Sequence, residues 1–141
     1  MIGVLLIAHA PLASALAAAG AHVYACAPQR AQGGVRALDV PADADVEETF
    51  AQARRIVQEI DDGGGVLVLT DAFGASPANI ARRLIEPGRV AVLAGVNLPM
   101  LLRVLCYRDG TLAEAVDKAL AGGAAGILTV PAEATASTED R

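Results

Sequence analysis

The chain has 141 residues, enough for one compact domain or one domain with a short tail. It is 54% hydrophobic but only 3% aromatic, with alanine at 31 positions, so its apolar content is small side chains suited to close packing and its hydrophobicity excludes disorder. Two Tyr, two Phe and a net charge of −5 argue against stacking platforms for single-stranded nucleic acid and against a general polyanion surface.

The first 21 residues, MIGVLLIAHAPLASALAAAGA, have the apolar core and Ala-x-Ala end of a secretory signal. They lack its basic start, since no Lys or Arg precedes Arg30, and His9 and Pro11 interrupt a run already too short to cross a bilayer. Ile2–Ala8 reads instead as a buried strand, followed by a helix from about Pro11 to Ala19 that stops at Gly20. His22–Ala27 reads as a second short strand and residues 28–45, with Gly-Gly, Pro and Asp, as a loop. Val46, Phe50, Ala53, Val57 and Ile60 recur at helical spacing, which predicts a helix over Val46–Ile60 with its acids early, where the dipole favours them.

Asp61–Gly65 is a turn, and Val66–Thr70 is the clearest strand of the chain. After a loop over Asp71–Ala75, Ser76 at the cap and Pro77 at the first helical position start another helix. Val90–Ala94 is a fourth strand, Pro99–Cys106 and Leu112–Ala121 are helices, and Gly126–Val130 is a last strand. Residues 1–131 thus form the domain, and 132–141 a polar tail expected to fray. Continuous apolar strands separated by helices predict an α/β three-layer sandwich around a mainly parallel sheet, for which a flavodoxin-like order beginning 2-1-3-4 is the working topology.

Such sheets bind ligands beyond the carboxyl ends of the strands where the order reverses, between the first and third strands. The residues just past those ends are His9 and Asp71, which are 62 positions apart in sequence, and each precedes a predicted helix start. An imidazole beside an orienting carboxylate suits the acceptance of a phosphoryl group: Asp71 fixes the tautomer, and helix N–H groups with the Ser76 hydroxyl meet the oxygens. Blander readings stand beside it: a hydrogen-bonded structural His9, an Asp71 that satisfies loop amides, and a Ser76 that only caps a helix. His22 falls at the opposite edge and cannot join His9 in a metal site. The P-loop and GxGxxG patterns are absent, Gly63–Gly65 precedes a strand, and the Ser of HAPLAS is not in a nucleophile elbow. Cys26 and Cys106 have neither metal spacing nor a Cys-x-x-Cys pattern and read as core thiols of a reducing compartment, which makes the expected location cytoplasmic.

GVLLIAHAPLASAL around His9, VLVLTDAFGASPANIA around Asp71 and GVNLPMLLRVL over Gly95–Leu105 together resemble the enzyme IIA domains of the mannose family of the phosphoenolpyruvate-dependent sugar phosphotransferase system. The resemblance runs in order over roughly residues 2–131. It implies transient phosphorylation of His9, a hydrogen bond between its ring and an accepting Asp71, and a phosphate-side position for Ser76 with Ala75 and Gly74. The same resemblance implies that Asn97, Pro99 and Met100 face a partner. The implied donor is the histidine-containing phosphocarrier protein and the implied acceptor an enzyme IIB, expected here as a separate chain. No metal or organic cofactor is implied. A homodimer is, with Gly126–Val130 as a fifth strand exchanged between subunits. Two departures bear on transfer rate: Ala10 and Ala75 stand where the family usually has glycine, and alanine would strain the loop if either needs a positive φ. Other readings are a phosphoprotein that reports phosphoenolpyruvate supply, a phosphoryl donor for dihydroxyacetone kinase, and a small-molecule binding domain.

Overall fold

Four strands and five α-helices, with a short 3-10 turn at Pro28–Arg30, follow one another along residues 1–133, the part of the chain that a computed structural model describes; residues 134–141, most of the expected tail, lie outside it. They are β1 (Gly3–His9), α1 (Leu12–Val23), β2 (Val35–Val40), α2 (Val46–Ile60), β3 (Val66–Thr70), α3 (Ser76–Arg82), β4 (Val90–Leu93), α4 (Leu98–Cys106) and α5 (Leu112–Ala125). The four strands are parallel in the order β2-β1-β3-β4. Period-2 alternation sends Val4, Leu6, Ala8, Leu67 and Leu69 to one face, under α1, α4 and α5, and Leu5, Ile7, Val66 and Val68 to the other, under α2 and α3. Central strands buried on both faces must be apolar throughout, which is why β1 and β3 stand out in the sequence.

The second strand differs from the expected one. His22 and Val23 complete the last turn of α1, Tyr24–Ala27 is a turn, and the strand comes from the stretch read as loop. Gly20 does not stop α1. It is buried within it, where a Cβ would come 3.2 Å from Leu101 and Leu105 of α4, so it marks a close helix contact. β2 escapes pattern reading because it is an edge strand that carries two charges, each with its own partner. Arg36 pairs with Glu59 at 2.9 Å, and Asp39 accepts two hydrogen bonds from Ser14.

The chain's end also differs. α5 runs to Ala125, past the expected Ala121, and Gly126 packs on Pro99 so closely that a Cβ would fall 2.4 Å from the ring. Residues 127–130 join no ladder of this chain's sheet, and Ile127, Leu128 and Val130 are exposed.

Arg108, which no sequence pattern singled out, is the largest fully buried side chain among the described residues. Its guanidinium has no acidic partner among them. Nε donates to the Ile2 carbonyl at 2.8 Å, one terminal nitrogen to Arg30 at 3.1 Å and Gln29 at 3.5 Å, and the other to Gly33. Burial holds its pKa below the usual arginine value. One side chain thereby ties the start of β1, the approach to β2 and the α4–α5 connection.

Candidate functional site

The carboxyl ends of β1 and β3 bring His9 and Asp71 together. Asp71 Oδ2 lies 2.7 Å from His9 Nδ1 and also accepts the His9 backbone N–H at 2.9 Å, while Oδ1 accepts the Ala72 N–H at 2.8 Å. A carboxylate only accepts, so Nδ1 carries the proton of the neutral ring and Nε2 keeps the lone pair. The His9 side chain is 55% exposed and that of Asp71 only 13%, so the ring faces solvent and its holder sits behind it. Burial pushes the Asp71 pKa up, but the hydrogen bonds from the His9 backbone, the His9 ring and Ala72 outweigh it, and the carboxyl titrates below its ordinary range.

The rest of the sheet edge is wired to this pair. Gly95 donates to the Asp71 carbonyl at 2.7 Å and Val96 to the Thr70 carbonyl at 3.0 Å, so the loop after β4 braces the one after β3. Ala10 donates to the Val40 carbonyl at 3.0 Å, which ties the His9 loop to β2. Gly74 has φ +90° with nothing near a hypothetical Cβ, so it supplies the left-handed turn. Ala75 has φ −86°, and no non-glycine residue among those described has a positive φ, so neither Ala10 nor Ala75 is strained in that way.

Ser76 is the first residue of α3 and not its cap, a position taken by Ala75, and its exposed hydroxyl makes no hydrogen bond within the described residues. Asn97 caps α4, accepting the Met100 N–H at 2.9 Å and donating to the Gly123 carbonyl of α5 at 3.1 Å. Met100 is 4% exposed and packs beside Gly123. Of the three residues expected to face a partner, Pro99 is exposed, while Asn97 and Met100 build the α4–α5 joint.

Sequence reasoning passed over Phe73, 85% exposed two residues from Asp71, and the Asp39–Ser14 pair beside His9. An aromatic in a turn motif is a visible signal for the first; the second needed the right β2. His22 is exposed at the far end of α1, and Cys26 and Cys106 are exposed thiols rather than the core residues expected, because both fall at or just beyond helix ends. Among the described residues no group of three or more His, Cys, Asp and Glu is placed to hold a metal ion, and no helix is long and apolar enough to cross a membrane.

A hydrogen-bonded imidazole with one free nitrogen at a sheet edge is equipped for nucleophilic or group-transfer chemistry, and comparison with known proteins gives the class. The family model described as "PTS system fructose IIA component" matches residues 3–120. The "PTS system mannose-specific EIIAB component" of Escherichia coli (strain K12) is 34% identical over 79 residues, 55% of this chain and 24% of that one. The "PTS system fructose-specific EIIA component" of Bacillus subtilis (strain 168) is 42% identical over 65 residues, 45% of this chain and 42% of that one. The matched segments thus span less than half the length of either relative. Among solved structures, the mannose/sorbose-specific IIA subunit from Enterococcus faecalis superposes with TM-score 0.80 at 20% identity, over 95% of this chain and 98% of that one. Component EIIA from Streptococcus agalactiae gives TM-score 0.77 at 25% identity, over 92% and 97%. With the family model spanning the sheet and both loops that carry His9 and Asp71, the chain belongs to the mannose/fructose family of IIA components of the sugar phosphotransferase system.

Proposed function

We propose that the chain accepts a phosphoryl group on Nε2 of His9 from the histidine-containing phosphocarrier protein and passes it to an enzyme IIB. The observation that carries this is the 2.7 Å contact between Asp71 and Nδ1, which commits the proton to one side of the ring and the lone pair to the other. In the forward step the Nε2 lone pair forms an N–P bond as the P–N bond of the donor's phosphohistidine breaks, and the donor ring recovers its electron pair. The His9 ring then carries positive charge, which the Asp71 carboxylate stabilises through the retained Nδ1–H. Positioning and electrostatics supply most of the catalysis in such transfers. The unengaged Ser76 hydroxyl, with Gly74 and Ala75 in the adjoining turn, is the proposed contact for the phosphoryl oxygens. The second transfer reverses the first, with the acceptor's nucleophile attacking phosphorus and the N–P bond to His9 breaking.

Incubation with phosphoenolpyruvate, enzyme I and the phosphocarrier protein should label one site per chain with an acid-labile, alkali-stable phosphate, and His9→Ala should abolish the label. Labelling that survives in His9→Ala would show that another residue is the acceptor.

The dimer is part of the same proposal. β4 forms a ladder only with β3; its other edge is engaged at Val90, which exchanges two backbone hydrogen bonds with Glu86, and has no strand partner beyond that among the described residues, while apolar grooves flank it on both faces. Ile127, Leu128 and Val130 are exposed directly after α5. An exchanged strand would satisfy both features. Light scattering should give the mass of two chains at micromolar concentration, and Leu128→Asp should halve it; a wild-type monomer would exclude the exchange.

A further inference from the structure

Two carboxylates flank the His9 loop, Asp71 bonded to His9 itself and Asp39 bonded to the start of α1, and the reading above uses only the first. Asp39, next to last in β2, pairs across the sheet with Ala8, the residue before His9. Its Oδ1 accepts the Ser14 N–H at 3.0 Å and its Oδ2 the Ser14 hydroxyl at 2.6 Å, both in the first turn of α1. That turn has no acidic residue of its own, and Pro11 at its cap provides no side-chain hydrogen bond. A helix start of this kind attracts anions, and here a carboxylate from another strand already occupies it. The site is therefore asymmetric: on the β2 side a carboxylate already fills the helix start, whereas at the start of α3 the Ser76 hydroxyl is unengaged and the carboxylate of that loop, Asp71, is turned to the His9 ring.

We infer that Asp39 is a positioning residue whose negative charge keeps the phosphoryl group off α1 and sets how firmly His9 retains it. The inference rests on His9 being the acceptor. Neighbouring strands are about 4.8 Å apart, and with the Asp39 carboxylate turned to α1 on the face of its partner Ala8, the carboxylate and the His9 ring are on the order of 10 Å apart. Phosphorylation adds a phosphoryl dianion and one positive charge on the ring, about one net negative charge, and a monoanion across that distance, partly screened by solvent, changes the occupancy of the phosphorylated state by about two- to four-fold. Asp39 thereby weakens the hold of His9 on the group and favours onward transfer.

Capping and charge can be separated because Asn has the shape of Asp. In Asp39→Asn the amide oxygen accepts the Ser14 N–H, the amide nitrogen donates to Ser14 Oγ, and that hydroxyl turns its proton to the Pro11 carbonyl, already 3.2 Å away. The cap survives and the charge is gone. With wild-type phosphocarrier protein as donor, Asp39→Asn should melt close to wild type, shift the phosphorylation equilibrium about two- to four-fold towards phospho-His9, and lose phosphate to water more slowly. Asp39→Ala should show the same shift together with a lower melting temperature from the broken cap. If Asp39→Asn matches wild type in equilibrium and phosphate loss, Asp39 is only a cap and the inference falls. If the wild type takes no label on His9, the acceptor assignment fails and takes this inference with it; a wild type labelled on His9 with an unshifted Asp39→Asn removes the inference alone.

Discussion

Asp71→Asn should slow phosphoryl acceptance on the order of 1,000-fold while the protein stays folded. Three N–H groups converge on this carboxylate: the His9 ring and backbone on one oxygen, and Ala72 on the other. An amide has only one accepting end. Turned one way, its NH2 opposes the Ala72 N–H; turned the other, it faces His9, and the ring bonds only by moving its proton to Nε2, which removes the nucleophile. Rapid-quench measurement of transfer from the phosphocarrier protein, with circular dichroism as the fold check, tests this. Unchanged kinetics would remove the orienting role.

The same carboxylate makes a pH prediction. Its folded pKa lies below the unfolded value, so the unfolded chain binds the proton more readily. Its contribution to stability is complete above the ordinary carboxylate range and is lost as pH falls through the lowered folded value. Wild type should therefore lose stability on that acid limb, and Asp71→Asn should flatten it, as followed by urea unfolding at successive pH values.

Arg108→Ala should be the most damaging substitution away from the site, costing about 4 kcal/mol and lowering the melting temperature by about 15 °C. The loss combines a large cavity with carbonyls of Ile2, Gln29, Arg30 and Gly33 left without their donor inside the fold. Lysine fails as a substitute because one ammonium cannot reproduce the planar fork, so Arg108→Lys should recover only part of the loss. The neighbourhood is closed as well: Gly34 sits at φ +77°, and a Cβ there would come 2.7 Å from the guanidinium. A melting curve within a few degrees of wild type would show that water replaces the guanidinium.

β1, α2 and β3 were legible because each obeys one simple period: unbroken apolar runs for strands covered on both faces, and Val46 to Ile60 at helical spacing. β2 was not. Val35-Arg36-Ala37-Leu38-Asp39-Val40 carries two charges whose partners, Glu59 and Ser14, are 23 and 25 residues away and invisible to any local window. The apolar HVYACA segment offered a better local pattern and took the strand assignment instead. His9 and Asp71 could be read because a strand end is a local feature and the switch-point rule joins two of them. Ser14 and Asp39 meet only once the correct β2 is in place. Arg108 gave no signal because its partners are backbone carbonyls, which every residue has.

The α4–α5 seam bears on how this protein can diversify. It closes on missing side chains: Cβ atoms at Gly122, Gly123 and Gly126 would strike Arg103, Met100 and Pro99. The outer surface of α1, by contrast, exposes Ala15 and Ala18 among other side chains, and a longer residue there meets water. Drift under selection would thus be sharply uneven, with the seam frozen and the face beside the His9 loop open to nearly any residue. A protein partitioned in this way can change the partners it recognises without disturbing the joint that braces its chemistry.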